Sequence, residues 1–202
     1  MRLIVVRHGE TKENSKKILM GHRHGTLSRK GVRQARETSL RLSHEKIDII
    51  FSSDLRRAKL TAKEIARYHN APIVYTKHLR EQNYGVLQGH HLPELLAELA
   101  RVRGPKLNYR PDGGESIRDV RKRVVRFLDQ LSTKRKYRNK TLLLSSHSGV
   151  ASIIFSRYGN TPLSEVMKMK PRNAGFFTAQ IRRNGSIITQ DKMFGTSEKT
   201  NK

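Results

Sequence analysis

Cysteine is absent from this chain of 202 residues. Disulfides and thiolate sites for metals or redox chemistry are therefore excluded, and a reducing compartment is compatible with the composition. No apolar run approaches the ~20 residues that are needed to cross a bilayer. The N-terminus leads directly into a predicted strand and lacks the charged and apolar regions of a signal peptide. We therefore expect a soluble cytoplasmic protein that does not act at a membrane.

Acidic residues are scarce, with 17 Asp and Glu against 42 Lys and Arg, which gives a net charge of +25. Such a charge attracts polyanions of any kind, from nucleic acid to small phosphorylated metabolites. Aromatic residues make up only 6% of the chain, which leaves little material for stacking bases. The dense basic cluster at 134–138 joins two predicted elements and is interpreted as a helix end and a loop. We therefore do not expect nucleic-acid binding to be the function.

Short β-branched apolar runs alternate with segments of helical periodicity, as is typical of an α/β domain. The dipeptide Asn184-Gly185 favours a final hairpin that adds an antiparallel edge to the sheet. We predict one domain spanning 1–194 with a small inserted cap at about 88–114, followed by a disordered tail at 195–202. The predicted strands are 3–6, 47–51, 72–75, 141–144, 175–182 and 186–190, and the predicted helices are 28–43, 55–68, 93–103, 116–132 and a last one that ends near 158.

Histidines follow two of the predicted strands directly. Arg7 and His8 come after the first strand, and His147 comes after the fourth. Ligands of parallel α/β sheets bind just past the carboxyl ends of the strands, so neighbouring strands would bring the two histidines together. Imidazole can act as a nucleophile, and the arginine fork matches phosphate geometry. Taken alone, each histidine could equally be an ordinary turn residue.

Arg56 and Arg57 lie in the first turn of a predicted helix, where the helix dipole disfavours cations. Binding of a phosphate at this helix N-terminus would explain them, and a solvated helix face is the alternative. Ser52, Ser53 or Asp54 is predicted to cap the same helix. A further candidate, a glutamate at position 81, follows the third strand and could by itself be a plain surface charge.

Residues 12–27 are polar and punctuated by glycine, so we predict a loop. The loop contains Asn14, Gly21, His22 and His24. Paired histidines suggest a metal site, but these two lack a nearby set of carboxylates or thiolates. We therefore predict no metal site.

Four motifs occur in order along the chain: Arg7-His8-Gly9-Glu10, the run 52–58 followed by Thr61-Ala62, the run 79–85 and Ser146-His147. Together they resemble the motifs of the histidine phosphatase superfamily, also called phosphoglycerate-mutase-like, over residues 2 to about 190. The resemblance implies a three-layer α/β sandwich, with a mostly parallel sheet and helices on both faces. His24 and Gln88 depart from the family pattern, which usually has aspartate and glutamate there.

The resemblance also implies a function and a role for each site residue. We expect a phosphatase-branch enzyme that hydrolyses small phosphomonoesters through a phosphohistidine, without a metal or an organic cofactor. His8 would be the nucleophile, Glu81 the proton donor and His147 a third catalytic residue. The implied substrate-binding residues are Arg7, Asn14, Gly21 and Arg57, and Arg56 is expected in solvent.

Two alternatives stay open. A cofactor-dependent phosphoglycerate mutase is disfavoured, because the insertion at 88–114 is short and an open pocket admits water. A non-catalytic polyanion-binding protein on the same fold is supported by the charge, but it is opposed by the complete set of four motifs. The sequence leaves the substrate and the oligomeric state open, a homodimer included.

Overall fold

The computed structural model describes residues 1–159, 161–167, 171–182 and 186–190. Over these residues six strands form one sheet with the order β3-β2-β4-β1-β5-β6. The four strands β1 to β4 pair in parallel, whereas β5 and β6 add an antiparallel edge, as predicted. The turn at Asn184-Gly185 and the tail at 195–202 lie outside the described residues. The strands are β1 (Arg2–Arg7), β2 (Ile49–Ser53), β3 (Ile73–Thr76), β4 (Thr141–Ser146), β5 (Phe176–Ile181) and β6 (Ile187–Gln190).

Helices cover both faces of the sheet. The side chains of β1 alternate between two cores: Leu3 and Val5 pack with α5 and α6, whereas Ile4 and Val6 pack with α2 and α3. A strand that is buried on both faces needs a continuous apolar run, which is why its sequence shows no alternation. The predicted three-layer α/β fold is confirmed. The helices are α1 (Lys12–Ser15), α2 (Arg29–Leu42), α3 (Arg56–Ala66), α4 (Leu92–Arg101), α5 (Ile117–Thr133), α6 (Ser148–Gly159) and α7 (Leu163–Val166).

Strands β2 and β4 end two residues later than predicted. Buried serines continue both ladders: Ser53 pairs with Thr76 of β3, and Ser146 pairs with Arg7 of β1. The apolar runs therefore stop short of the carboxyl ends of both strands. Because β1 and β4 are parallel neighbours, the histidines that follow them emerge at the same edge of the sheet.

Two local predictions were wrong. The predicted loop at 12–27 begins with the four-residue α1, which a reciprocal cap between Thr11 and Asn14 holds and which is too short for periodicity to reveal. The N-cap of α3 is Leu55, which makes no side-chain cap. The Asp54 carboxylate instead accepts two hydrogen bonds of 2.6 Å from Arg80 and is therefore not available as a cap.

The segment predicted as a cap carries α4 and a 3-10 turn at 106–108. Leu95 of α4 packs with Leu19 and Leu87 in a small apolar cluster, so this segment is joined to the loop that follows α1. Among the described residues, none of the helices is long and apolar enough to cross a membrane.

Candidate active site

His8 and His147 lie side by side at the carboxyl edge of the sheet. Their ring centroids are 5.1 Å apart, and the rings meet edge to face at 63°. His8 is 4% exposed and His147 is fully buried. The juxtaposition follows from the pairing of β1 with β4.

The hydrogen bonding of His8 identifies its free nitrogen. Nδ1 lies 2.7 Å from the carbonyl oxygen of Gly9, and because a carbonyl only accepts, Nδ1 carries the proton. The lone pair is therefore on Nε2. Burial, followed by the charges of Arg57 and Arg7, holds the pKa of His8 well below 6.5, so this ring is neutral at physiological pH.

Both ring nitrogens of His147 are engaged by the protein. Arg57 donates from Nε to Nδ1 at 3.1 Å, so Nδ1 is an acceptor. Nε2 must then carry the proton, which it donates to Oγ of Ser53 at 2.9 Å. Burial and the charge of Arg57 lower the pKa of His147 well below 6.5, which keeps this ring neutral as well.

Arg57 is the buried cation of the site, with 2% of its surface exposed, whereas its neighbour Arg56 is exposed. The guanidinium donates to the carbonyl oxygens of Arg23 and Gly21, each at 2.8 Å. Burial lowers the pKa of Arg57 to about 10, so the side chain remains charged at neutral pH. Gly21 adopts a left-handed conformation (φ 49°), which suits glycine and aims its carbonyl at Arg57.

Backbone groups fix the carboxylate of Glu81. Its Oε1 accepts from the N–H of Gln82 at 3.0 Å, and its Oε2 accepts from the N–H of Gly149 at 3.3 Å. The carbonyl oxygen of Glu81 accepts from His22 at 2.9 Å and from Arg123 at 2.8 Å. Both the side chain and the backbone of this residue are therefore held in place.

An ion pair that the sequence analysis missed supports this segment. Arg123 binds both carboxylate oxygens of Glu115, at 2.9 and 3.0 Å, and also donates to the carbonyl of His78. The predicted helix over 116–132 covers this stretch only in part, and its cap is formed by Ser116 and Asp119. The sequence signal for this ion pair was the spacing of eight residues. That spacing places Glu115 and Arg123 on one side of the start of the helix.

Thr61 belongs to the second motif, but no role was predicted for it. Its hydroxyl accepts from the N–H of Gly9 at 3.1 Å and donates to the carbonyl of Arg57 at 3.0 Å. Thr61 thus links the segment after β1 to α3. Its place in that motif, one helical turn beyond Arg57, was the signal in the sequence.

These residues surround a cavity of about 290 Å³. Arg7 lines it and donates from one Nη to the carbonyl of Pro171 at 2.6 Å, while its buried Nε has no hydrogen-bond partner among the described residues. Asn14 also lines it and accepts through Oδ1 from Thr11 and Asn173, which leaves its amide N–H groups as donors. Unused donors beside two arginines fit a bound anion. The cavity is also lined by His8, Gly21, Arg57, Glu81 and Gly149, and its apolar walls include Ile18, Leu92, Ile117 and Met167.

The two histidines that suggested a metal are separated in the structure. His22 bonds the carbonyl of Glu81, whereas His24 is exposed and does not line the cavity. Within the described part of the chain, no group of three or more His, Asp or Glu side chains is arranged to hold a metal ion.

Comparison with known proteins identifies the family. Residues 3–190 match the profile of the histidine phosphatase superfamily, branch 1. The chain belongs to this superfamily. The predicted family is therefore confirmed over nearly the whole sequence.

Individual relatives agree with this assignment. The chain is 31% identical over 166 residues to the adenosylcobalamin/alpha-ribazole phosphatase of Escherichia coli K12, covering 80% of this chain and 81% of that protein. Curated relatives of similar identity include proteins named as phosphoglycerate mutases. The solved structure of Bacillus stearothermophilus YhfR superposes with a TM-score of 0.82 at 24% identity, covering 93% of this chain and 94% of that one, and supports the fold.

The two buried histidines predict a pH-dependent stability. Their pKa values are lowered in the folded protein, whereas in the unfolded chain they titrate near 6.5. Below that pH the unfolded state binds more protons, so stability that is present above pH 6.5 is lost as the pH falls, by up to ~1.4 kcal/mol per pH unit for each histidine. Urea unfolding between pH 7.5 and 5.5 measures this slope. His8→Gln should reduce this slope, whereas the exposed control His44→Gln should leave it at the wild-type value. Equal slopes in the two variants would contradict a lowered pKa of His8 in the folded protein.

Gly149→Ala is predicted to lower kcat without destabilising the fold. A Cβ at this position would lie 2.6 Å from Oε1 of Glu81, so the carboxylate must move. Misplacement on this scale costs on the order of 10²-fold in rate. Alanine should otherwise favour α6 by about 1 kcal/mol. Steady-state kinetics and thermal unfolding check both parts.

The double variant supplies the control for this prediction. In a Glu81→Gln background, Gly149→Ala should cost little more activity. A loss of the same size in both backgrounds would show that Gly149 acts through some other group.

Proposed function

We propose that this protein hydrolyses phosphomonoesters of small metabolites through a covalent phosphohistidine at His8. The proposal rests on one observation: Nε2 of His8 is unprotonated, and His8 lies in a cavity that is also lined by Arg7 and Arg57. A nucleophile with a free lone pair next to two cations is suited to attack on a phosphoryl group. The names of the phosphatase relatives support the same activity.

In the first half of the reaction, Nε2 of His8 attacks phosphorus and forms a P–N bond while the ester P–O bond breaks. Glu81 in its protonated form donates its proton to the leaving oxygen and becomes the carboxylate, so the product departs as an alcohol. Arg7 and Arg57 offset the charge on the equatorial oxygens of the phosphoryl group. Asn14 supplies a further amide donor.

His147 changes its role when phosphate enters. In the free protein its Nδ1 accepts a hydrogen bond from Arg57 and no N–H of the ring is unused. A bound phosphate dianion favours the protonated ring, because an opposite charge stabilises imidazolium. Nδ1 can then donate to a phosphate oxygen, and Nε of Arg57 is released to do the same. Gly21 contributes through its carbonyl, which orients Arg57.

In the second half, water attacks phosphorus and the Glu81 carboxylate accepts its proton. The P–N bond breaks, the lone pair returns to His8 and inorganic phosphate leaves. Side chains of the protein stabilise every charge that develops in these steps, so we expect no metal or organic cofactor.

Hydrolysis of p-nitrophenyl phosphate by the wild-type protein in EDTA tests the proposed function. We expect turnover that the chelator does not reduce. An absence of hydrolysis, or activity that depends on added metal, would contradict the proposal. The same preparation separates phosphatase from mutase: transfer of phosphate from 2,3-bisphosphoglycerate to monophosphoglycerate that is faster than release to water would favour the mutase.

A second candidate function, polyanion binding, is favoured by a basic groove on α5. The groove has a volume of about 1070 Å³ and includes four cations of this helix, none of which forms an ion pair with another described residue. One of them, Arg118, lies in the first turn of α5, where a cation opposes the helix dipole. The four are Arg118, Arg121, Lys122 and Arg126.

Binding of fluorescent double-stranded DNA across a salt titration tests this second function. An R121E/K122E variant should lose binding, and the control K134E/R135E, which changes the charge equally just beyond α5, should keep it. Steep salt dependence without turnover would favour the binding protein over the enzyme. Equal weakening of DNA binding in both variants would mean that binding depends on the net charge of the protein and not on this groove.

A further inference from the structure

Cations in the catalytic cavity are few for a chain of charge +25. Of the described residues that line it, Arg7, Arg57 and Lys17 are the cations. Arg57 is buried and therefore lies at the floor, whereas Lys17 is exposed and lies at the mouth. The proposed chemistry uses the two arginines and leaves Lys17 without a role.

The backbone of Lys17 adopts a conformation that lysine disfavours. Its φ is 57°, in the left-handed region that glycine or asparagine occupies more easily. The conformation is held from both sides, because Lys17 donates its N–H to the carbonyl of Asn14 at 3.1 Å and accepts from the N–H of Leu92 at 2.8 Å. Lys17 directly follows Lys16, the C-cap residue of α1, so the left-handed conformation ends this helix and fixes the backbone from which the lysine side chain extends.

The surroundings of Lys17 limit what its side chain can bind. Ile18 and Leu92, which adjoin Lys17, are apolar, and the cavity lining also includes the carboxylates of Glu10 and Glu81. Among the described residues no carboxylate forms an ion pair with Lys17, so its ammonium group is available to a ligand. The cavity of about 290 Å³ admits only a small molecule.

We infer that Lys17 binds an acidic group on the leaving-group side of the substrate. The preferred substrates are then small phosphomonoesters whose leaving group carries a carboxylate or a second anion on a short carbon frame. This inference rests on the proposed function, because the phosphate must lie between Arg7 and Arg57 for the leaving group to reach the mouth. Lys17 is thus a specificity-determining residue that takes no part in the chemical steps.

Paired substrates test the inference. 3-Phosphoglycerate carries a carboxylate that glycerol 3-phosphate lacks, so the ratio of their kcat/KM values reports the contact. We expect the wild type to prefer 3-phosphoglycerate and Lys17→Met to lower the ratio about tenfold, the size of one charge-assisted hydrogen bond. The neighbouring exposed Lys16, which does not line the cavity, provides the control Lys16→Met, which should keep the wild-type ratio.

Lys17→Gly separates recognition from structure. Glycine relieves the left-handed conformation, so the melting temperature should rise while the substrate ratio falls as it does in Lys17→Met. An unchanged ratio in both Lys17 variants, or an equal fall in Lys16→Met, would overturn the inference while leaving the phosphatase in place. If the wild type hydrolyses neither ester nor p-nitrophenyl phosphate, the proposed function and this inference fall together.

Discussion

Replacing His8 with alanine is expected to lower kcat for p-nitrophenyl phosphate by at least about 10⁴-fold, in the range seen when a catalytic nucleophile is removed. The substitution eliminates the only nitrogen that we propose to bond phosphorus. His147 cannot take over, because both of its ring nitrogens are held by Arg57 and Ser53. Stopped assays on highly concentrated enzyme measure the residual rate.

The exposed histidine at position 24 provides a matched control. His24→Ala should keep kcat within about twofold of wild type, since surface substitutions away from the site have small effects. Circular dichroism and thermal unfolding establish that His8→Ala is folded. Wild-type turnover by folded His8→Ala protein would rule out the proposed nucleophile.

Replacing Arg57 with methionine is expected to lower kcat/KM by about 10³-fold or more, as losses of a transition-state arginine do in phosphoryl transfer. Three acceptors converge on this guanidinium: the carbonyls of Gly21 and Arg23, and Nδ1 of His147. The loss therefore removes a charge from the proposed phosphate site and frees the loop at Gly21 and the ring of His147, both of which the guanidinium holds. Kinetics with p-nitrophenyl phosphate measure both kcat and KM.

Arg56→Met is the control, because this neighbour is exposed and lies in the same turn of α3. Its kinetics should match those of the wild type. Arg57→Lys should recover little activity, since one ammonium group cannot reach the three acceptors that the planar fork spans. Equal losses from Arg56→Met and Arg57→Met would mean that the effect is one of net charge and not of position.

The sequence was informative where function depends on the ends of strands. His8, His147 and Glu81 each follow a predicted strand, and the parallel pairing of β1 with β4 is enough to bring the two histidines together. The two-faced core of β1 could also be predicted, because a short, continuous run of β-branched apolar residues is typical of a strand that is covered on both sides. These features are encoded locally, in the type and order of neighbouring residues.

The supporting shell of the site could not be predicted in the same way. Arg123 reaches the carbonyl of Glu81, and Thr61 joins Gly9 to the backbone of Arg57. These hydrogen bonds connect side chains to backbone groups of distant segments. Because every residue has a backbone carbonyl, a sequence pattern cannot reveal which carbonyl is the acceptor. The missing cap of α3 has a related cause, since Asp54 is engaged by an arginine 26 positions further on.

The hydrogen bonds of His147 refine the role that the family resemblance implied for it. This residue is fully buried and bonds Arg57 directly, so in the free protein it orients the guanidinium and offers no donor to a ligand. Its proposed contact with phosphate requires a proton that the anion itself makes favourable. The two histidines therefore differ in kind: His8 has an unprotonated nitrogen that is free of hydrogen bonds to the described residues, whereas His147 orients Arg57 in the free protein.

Trapping the covalent intermediate tests the central claim most directly. Wild-type protein mixed with p-nitrophenyl phosphate is quenched in alkali within the first turnovers, digested and analysed by mass spectrometry for phosphohistidine, which acid would hydrolyse. We predict one phosphate per chain, on His8, and none in the His8→Ala protein. Phosphate on any other residue, or burst release of p-nitrophenol without a phosphorylated peptide, would contradict nucleophilic attack by His8.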